Sequence, residues 1–242
     1  NLAYQEESVN GVSAFLTDGF TLGSNGTANA NSATFAAWQW KANGGTTTSF
    51  AESGNNPAGT YQANTTSGFS IVTYTGTGAA GTIAHGLGVA PKMIFVRNRD
   101  VADPWAVYYG DATDYLVLNE NAATVDNAAW WNDTAPSSTV FTVNTDHSVN
   151  ADGEDYIAYC FANVQSFSKV GTYVANANVD GPFIYCGFKP AWILRKALPR
   201  NEPWMLIDNK RNPSNVAASS FNTSTTAAES TTADYDIDFV SN

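Results

Sequence analysis

Tyr156-Ile157-Ala158-Tyr159-Cys160-Phe161 aligns without a gap on Phe35-Ala36-Ala37-Trp38-Gln39-Trp40, a shift of 121 positions. Each run is bulky and rich in aromatic residues, which suits a core strand. A second correspondence lies further on. Phe69-Ser70-Ile71-Val72 pairs with Phe167-Ser168-Lys169-Val170, and Pro104-Trp105 with Pro203-Trp204, at shifts of 98 and 99. The end of the chain, Asp238 to Asn242, reads like the residues leading to Asp18. These offsets predict one complete unit at 68–165, the second half of a preceding unit at 1–45, a linker at 46–67, and the first half of a further unit at 166–242. A period near 100 residues is too long for a solenoid turn, so each unit reads as a small β domain in a tandem array. A chain that starts and stops at mid-unit reads as a piece of something longer.

Working outward, strands are expected at 69–74, 92–97, 105–109, 139–143 and 156–161. Lys92-Met93-Ile94-Phe95-Val96-Arg97 carries the strongest strand signal. Glycine-rich turns such as Gly76 to Gly81 separate the runs. Helical periodicity is weak, with room for one short helix in 119–130. The expected fold is all-β: tandem antiparallel β-sandwich units, lectin-like or jelly-roll-like, of about 100 residues. Trp105 and Trp204 are expected to be buried at equivalent places. The halves at 1–45 and 166–242 each leave an open sheet edge. Three arrangements repair this: joining within the chain, pairing between copies, or completion by flanking sequence. The first is favoured, with pairing between 34–40 and 166–196 as its sign.

Composition narrows the function classes. The chain has 242 residues, 43% of them hydrophobic, enough for a buried core. Only 14% are charged, and the formal net charge is −11. Such a chain repels a phosphate backbone, which argues against nucleic-acid binding. No run approaches the roughly 18 apolar residues of a membrane span, so no membrane insertion is expected. The cysteines, Cys160 and Cys186, each sit in an apolar run and read as small buried hydrophobes, with a disulfide left open.

Few motifs carry chemistry. Gly86-Leu87-Gly88 lacks the lysine of a phosphate loop and reads as a sharp turn feeding a core strand. His85 and His147 read as structural or exposed, with no Ser–His–Asp pattern near them. Asp146, Asp152, Glu154 and Asp155 form an acidic turn without calcium-loop spacing. The pairs Asp100 with Asp103 and Asp111 with Asp114 are what chance supplies among 22 acidic residues. No catalytic residue, metal or cofactor is expected. Trp130 and Trp131, with Asn132 and Asp133, are different, because two indoles stand in a polar loop. They read as a sugar-binding platform or a subunit contact, with a plug at the end of the sandwich as the alternative.

Long segments of the chain resemble a known family. They are Gly68-Phe-Ser-Ile-Val-Thr-Tyr-Thr-Gly-Thr-Gly, Ile83-Ala-His-Gly-Leu-Gly-Val-Ala-Pro-Lys-Met-Ile and Tyr156-Ile-Ala-Tyr-Cys-Phe-Ala. Asp18-Gly-Phe-Thr-Leu-Gly and Phe167-Ser-Lys-Val-Gly-Thr-Tyr join them. Together they are similar to a repeated domain of tail-fibre and related virion proteins, of the marine and cyanobacterial phage type. The resemblance implies a lectin-like β-sandwich and carries over no catalytic residue. It implies a non-enzymatic appendage on the virion surface that binds host surface glycan or protein. Its partners would be other virion proteins and copies of itself. Two alternatives stand beside it: an architectural capsid-decorating or fibre-shaft subunit, and a polysaccharide depolymerase.

Overall fold

A computed structural model describes residues 11–178, 180–232 and 236–240. In chain order the elements are β1 (Val12–Phe15), β2 (Phe20–Leu22), α1 (Gly26–Asn29), β3 (Thr48–Phe50), β4 (Gly59–Asn64), β5 (Phe69–Thr75) and β6 (Gly81–Ala84). They continue with β7 (Met93–Asn98), β8 (Ala106–Tyr108), β9 (Asp114–Val117), β10 (Val125–Asp126), α2 (Ala128–Trp131) and β11 (Val140–Val143). The last are α3 (His147–Asn150), β12 (Asp155–Phe161), β13 (Trp192–Arg195), β14 (Met205–Asp208) and β15 (Ser220–Asn222). The described residues are mostly β, with three helices of four residues each.

Eight strands form one antiparallel sheet in the order β10-β9-β8-β7-β12-β5-β4-β3. Its register is legible in a single row. Val72 faces Ala158, Ala158 faces Val96, Val96 faces Ala106, and Ala106 faces Val117. All five are buried. Strand side chains alternate, so a slip of one residue would turn this row to the other face. β12 shows the alternation directly: Tyr156, Ala158 and Cys160 are buried, and Ile157, Tyr159 and Phe161 are half-buried. Against the buried face pack Ile83 of β6, Phe141 and Val143 of the paired β11, Trp130 and Trp131 of α2, and Val149 of α3. Tyr74 and Tyr156 stack within this core, rings 5.1 Å apart, and the Tyr74 hydroxyl donates to the Val149 carbonyl at 2.6 Å. The hydroxyl is thus satisfied where water cannot reach.

The other face carries the next row, Ile71, Tyr159, Phe95, Val107 and Leu116. Part of it is covered by the three-stranded sheet β13-β14-β15 and the β13–β14 connection, where Leu194 of β13 and Leu198 and Trp204 of the connection join Phe95, Val107 and Leu116 in one cluster. The Trp204 indole N–H donates to the Val117 carbonyl at 2.8 Å, joining the sheets through a buried polar contact.

All five expected strands form, each within two residues of the expected bounds. Three other expectations need correction. The chain does not resolve into evident tandem units. The stretch 46–67, read as a linker, supplies β3 and β4 and extends the large sheet beyond β5. Phe35 to Trp40, read as a core strand, forms none and is exposed. The first ten residues of the expected half-unit at 1–45, and part of the match at 238–242, lie outside the described residues.

One local correspondence remains. Ile94 faces Tyr108 and Phe95 faces Val107, while Ile193 faces Ile207 and Leu194 faces Leu206. Each residue of the second set stands 99 positions after its counterpart. Leu118 N–H donates to the Trp105 carbonyl, and Thr223 N–H to the Trp204 carbonyl. The meanders β7-β8-β9 and β13-β14-β15 therefore share one pattern, although Trp204 is buried and Trp105 only half-buried.

Candidate functional site

The sequence singles out Trp130, Trp131, Asn132 and Asp133. Asn127 caps α2, its side chain accepting from the Ala129 N–H at 3.0 Å. Asn132 ends the helix in the left-handed region, at φ 53°. This one turn swings both indoles inward, leaving Trp130 4% and Trp131 1% exposed. Trp130 stacks on Tyr115 at 3.7 Å, and Trp131 meets Tyr108 edge-on at 6.0 Å. A platform of exposed indoles is therefore corrected, since a sugar ring has no open face to lie on. Asn132 and Asp133 remain on the surface, and Asn132 accepts from the Asn144 side chain at 3.1 Å.

Residues read as unrelated come together beside α3. His147 Nδ1 and Asp103 Oδ2 are 2.9 Å apart. Asn98 Nδ2 donates to Glu154 Oε2 and lies 3.1 Å from the Tyr156 hydroxyl. That hydroxyl donates to the His147 carbonyl at 2.6 Å and accepts from the Ala151 N–H at 2.8 Å. The hydrogen bond to Asp103 raises the His147 pKa above its ordinary value. Burial raises that of Tyr156. The pair orients an imidazole whose side chain is 68% exposed, with Asp103 largely buried behind it. An Asp-oriented imidazole serves as a general base when a nucleophile adjoins it. Here the surrounding partners are an amide, a phenol and a carboxylate, which tie the α3 loop to the sheet. Among the described residues no three His, Cys, Asp or Glu are placed to hold a metal. The other histidine, His85, is buried and accepts from the Leu87 N–H at 3.2 Å through Nδ1, and burial lowers its pKa.

The remaining distinctive feature is aromatic. Trp40 meets Trp192 at 5.5 Å, Phe161 at 5.9 Å and Phe69 at 6.4 Å, while Trp38 meets Phe221 of β15 at 6.4 Å. The segment thus runs across the face of the three-stranded sheet without a strand partner. Nearby on the large sheet Trp105 stacks with Tyr159 at 6.3 Å, with Arg97 5.9 Å from the Trp105 ring. Large apolar side chains stand in solvent on two arms of the chain, 12–40 and 167–185. Phe15 is 85% exposed on one, and Val174 89%, Phe183 66% and Tyr185 69% on the other. A cleft of about 470 Å³ lies between Lys92, Tyr109, Asp111, Thr172 and Leu198. Sequence reading missed these arms because their apolar residues are scattered among Asn, Gly and Ser.

The protein is therefore a β-rich, antiparallel sheet protein with exposed apolar arms. It belongs to the family described as a domain of unknown function, DUF7483, whose model matches residues 1–242. No curated protein and no solved structure matches it. Among the described residues no helix is long and apolar enough to cross a membrane.

Proposed function

We propose that this chain is a non-enzymatic phage virion appendage protein of the tail-fibre type, built on lectin-like β-sandwich packing. The observation that carries the assembly role is the concentration of exposed large apolar side chains on the arms at 12–40 and 167–185. Exposed apolar side chains support contact with another protein where they gather into one patch. The resemblance to tail-fibre domains supports copies of the chain and other virion proteins as the partners, on the particle surface. Labelling purified virions with an antibody to this chain tests the reading. Label on an appendage is expected, and its absence from the particle would overturn it.

A second reading gives the same chain a host-binding role, toward surface glycan or protein. The half-buried Trp105–Tyr159 stack supports it, since parallel aromatic planes suit the apolar face of a sugar ring. A glycan array decides this role: selective binding that Trp105→Ala abolishes supports it, and no binding leaves the architectural role. Release of reducing sugar from host polysaccharide would replace both with a depolymerase.

A further inference from the structure

The shared pattern of the two meanders exposes a missing strand. β7 is paired on both sides, by β8 and by β12. β13, its counterpart, is paired by β14 alone, and among the described residues no strand covers its other edge. Such an edge presents a row of unpaired N–H and carbonyl groups, a template for another strand.

The sequence that fills this place beside β7 is Tyr156 to Phe161, and its match in the chain is Phe35 to Trp40. Transferring the register makes the fit specific. Phe161 faces Met93 and Tyr159 faces Phe95. The corresponding pairs are Trp40 with Trp192 and Trp38 with Leu194. The Trp40 and Trp192 rings already touch within one chain. The rest of the segment turns away, however, because Trp38 lies against Phe221, two strands from the edge. Among the described residues of one copy, no strand lies on the β13 edge and none pairs with the Phe35 to Trp40 segment.

We propose that the free edge of β13 accepts Phe35 to Trp40 of a second copy as an added antiparallel strand, with Trp40 opposite Trp192. The inference rests on the reading of the chain as an assembling subunit. Donor and acceptor are different surfaces, so each copy offers both, and the contact closes by reciprocal exchange or as a ring, or propagates, according to the rotation between copies. One six-residue strand falls short of the roughly 1,000 Å² that a stable interface buries. The exposed Phe15, Phe183 and Tyr185 offer further apolar area to a second copy.

Cysteine pairing tests this on the whole chain, in a Cys186→Ser background. Residues directly opposite in an antiparallel pair are close enough for a disulfide. The transferred register puts Gln39 opposite Ile193 and Ala37 opposite Arg195. Gln39→Cys and Ile193→Cys are made in separate chains, mixed and oxidised. A covalent heterodimer is expected, and it is lost when Phe35→Cys replaces Gln39→Cys. The pair Ala37→Cys and Arg195→Cys repeats the test should Ile193→Cys fail to fold. A bridge found only inside a doubly substituted chain, as a monomer, would overturn the proposal in favour of self-closure. No bridge from either pair, with folding intact by circular dichroism, would overturn it too. Bridging reads the edge and virion labelling reads location, so either reading can fail alone.

Discussion

At the scale of single residues, Trp204 carries the most testable weight. It is 2% exposed, fills the seam between the two sheets, and donates to the Val117 carbonyl. Trp204→Ala should cost about 3–5 kcal/mol, read as a drop in urea midpoint. The half-buried Trp105 should cost clearly less, and equal costs would mean that the seam does not depend on Trp204. His147 makes a second prediction. Its pKa is raised chiefly by the hydrogen bond to Asp103, so the folded state favours the protonated ring. The resulting stabilisation is full below the ordinary value near 6.5 and is lost as pH rises through the folded pKa. NMR titration should place His147 above 6.5, and Asp103→Asn should bring it down. An unchanged titration in that variant would detach His147 from Asp103. The burial of Trp204 was legible beforehand, and the pairing of His147 with Asp103 was not. Asp103 and His147 are 44 positions apart, and only the fold joins them. Trp130 and Trp131 misled because a single capped helical turn leaves no periodicity, so polar neighbours suggested an exposed loop.

At the scale of elements, strands with β-branched or aromatic runs were readable, because their composition alone suits a half-buried pleat. β5, β7 and β12 are of this kind. β3 and β4 were not, since Thr48-Ser49-Phe50 and Gly59 to Asn64 are short and polar, and every residue of β4 is only half-buried. They form because β5 offers an edge, a tertiary cause that no local signal records. Phe35 to Trp40 errs the other way: strand-like in composition, it lacks a strand partner among the described residues. Turns impose their own demands. Gly76 receives and returns backbone hydrogen bonds with the loop before β12, donating to Glu154 and accepting from Gly153. A Cβ there would stand 2.1 Å from the Ala151 carbonyl oxygen. Gly76→Ala should therefore cost about 1–3 kcal/mol through forced backbone shifts. Gly45→Ala, with nothing within 4 Å of its Cβ, should be close to neutral. Similar thermal midpoints for the two variants would show that the loop yields freely.

At the scale of the whole molecule, stability and interaction are assigned to different parts of the chain. The large sheet holds the main core, while the described residues of the arms at 31–40 and 171–185 are exposed and lie in no strand. Segments without buried contacts or ladder hydrogen bonds open at little cost, and proteases find them first. Brief chymotrypsin treatment of the dilute protein should cut after Phe35, Trp38 or Trp40 and after Phe183 or Tyr185. Cuts within β5, β7 and β12 should come only after global unfolding, because their aromatic residues lie in paired strands. Mass spectrometry of the fragments reads this directly. The same digestion separates a passive arm from an assembling one. If the arms meet between copies, cleavage at both should slow together as protein concentration rises, with the enzyme-to-protein ratio held fixed. Protection of one arm without the other would assign it a different partner. Equal cleavage at every concentration would leave the arms without a role in self-assembly, and the exposed aromatic side chains would then answer to a foreign surface.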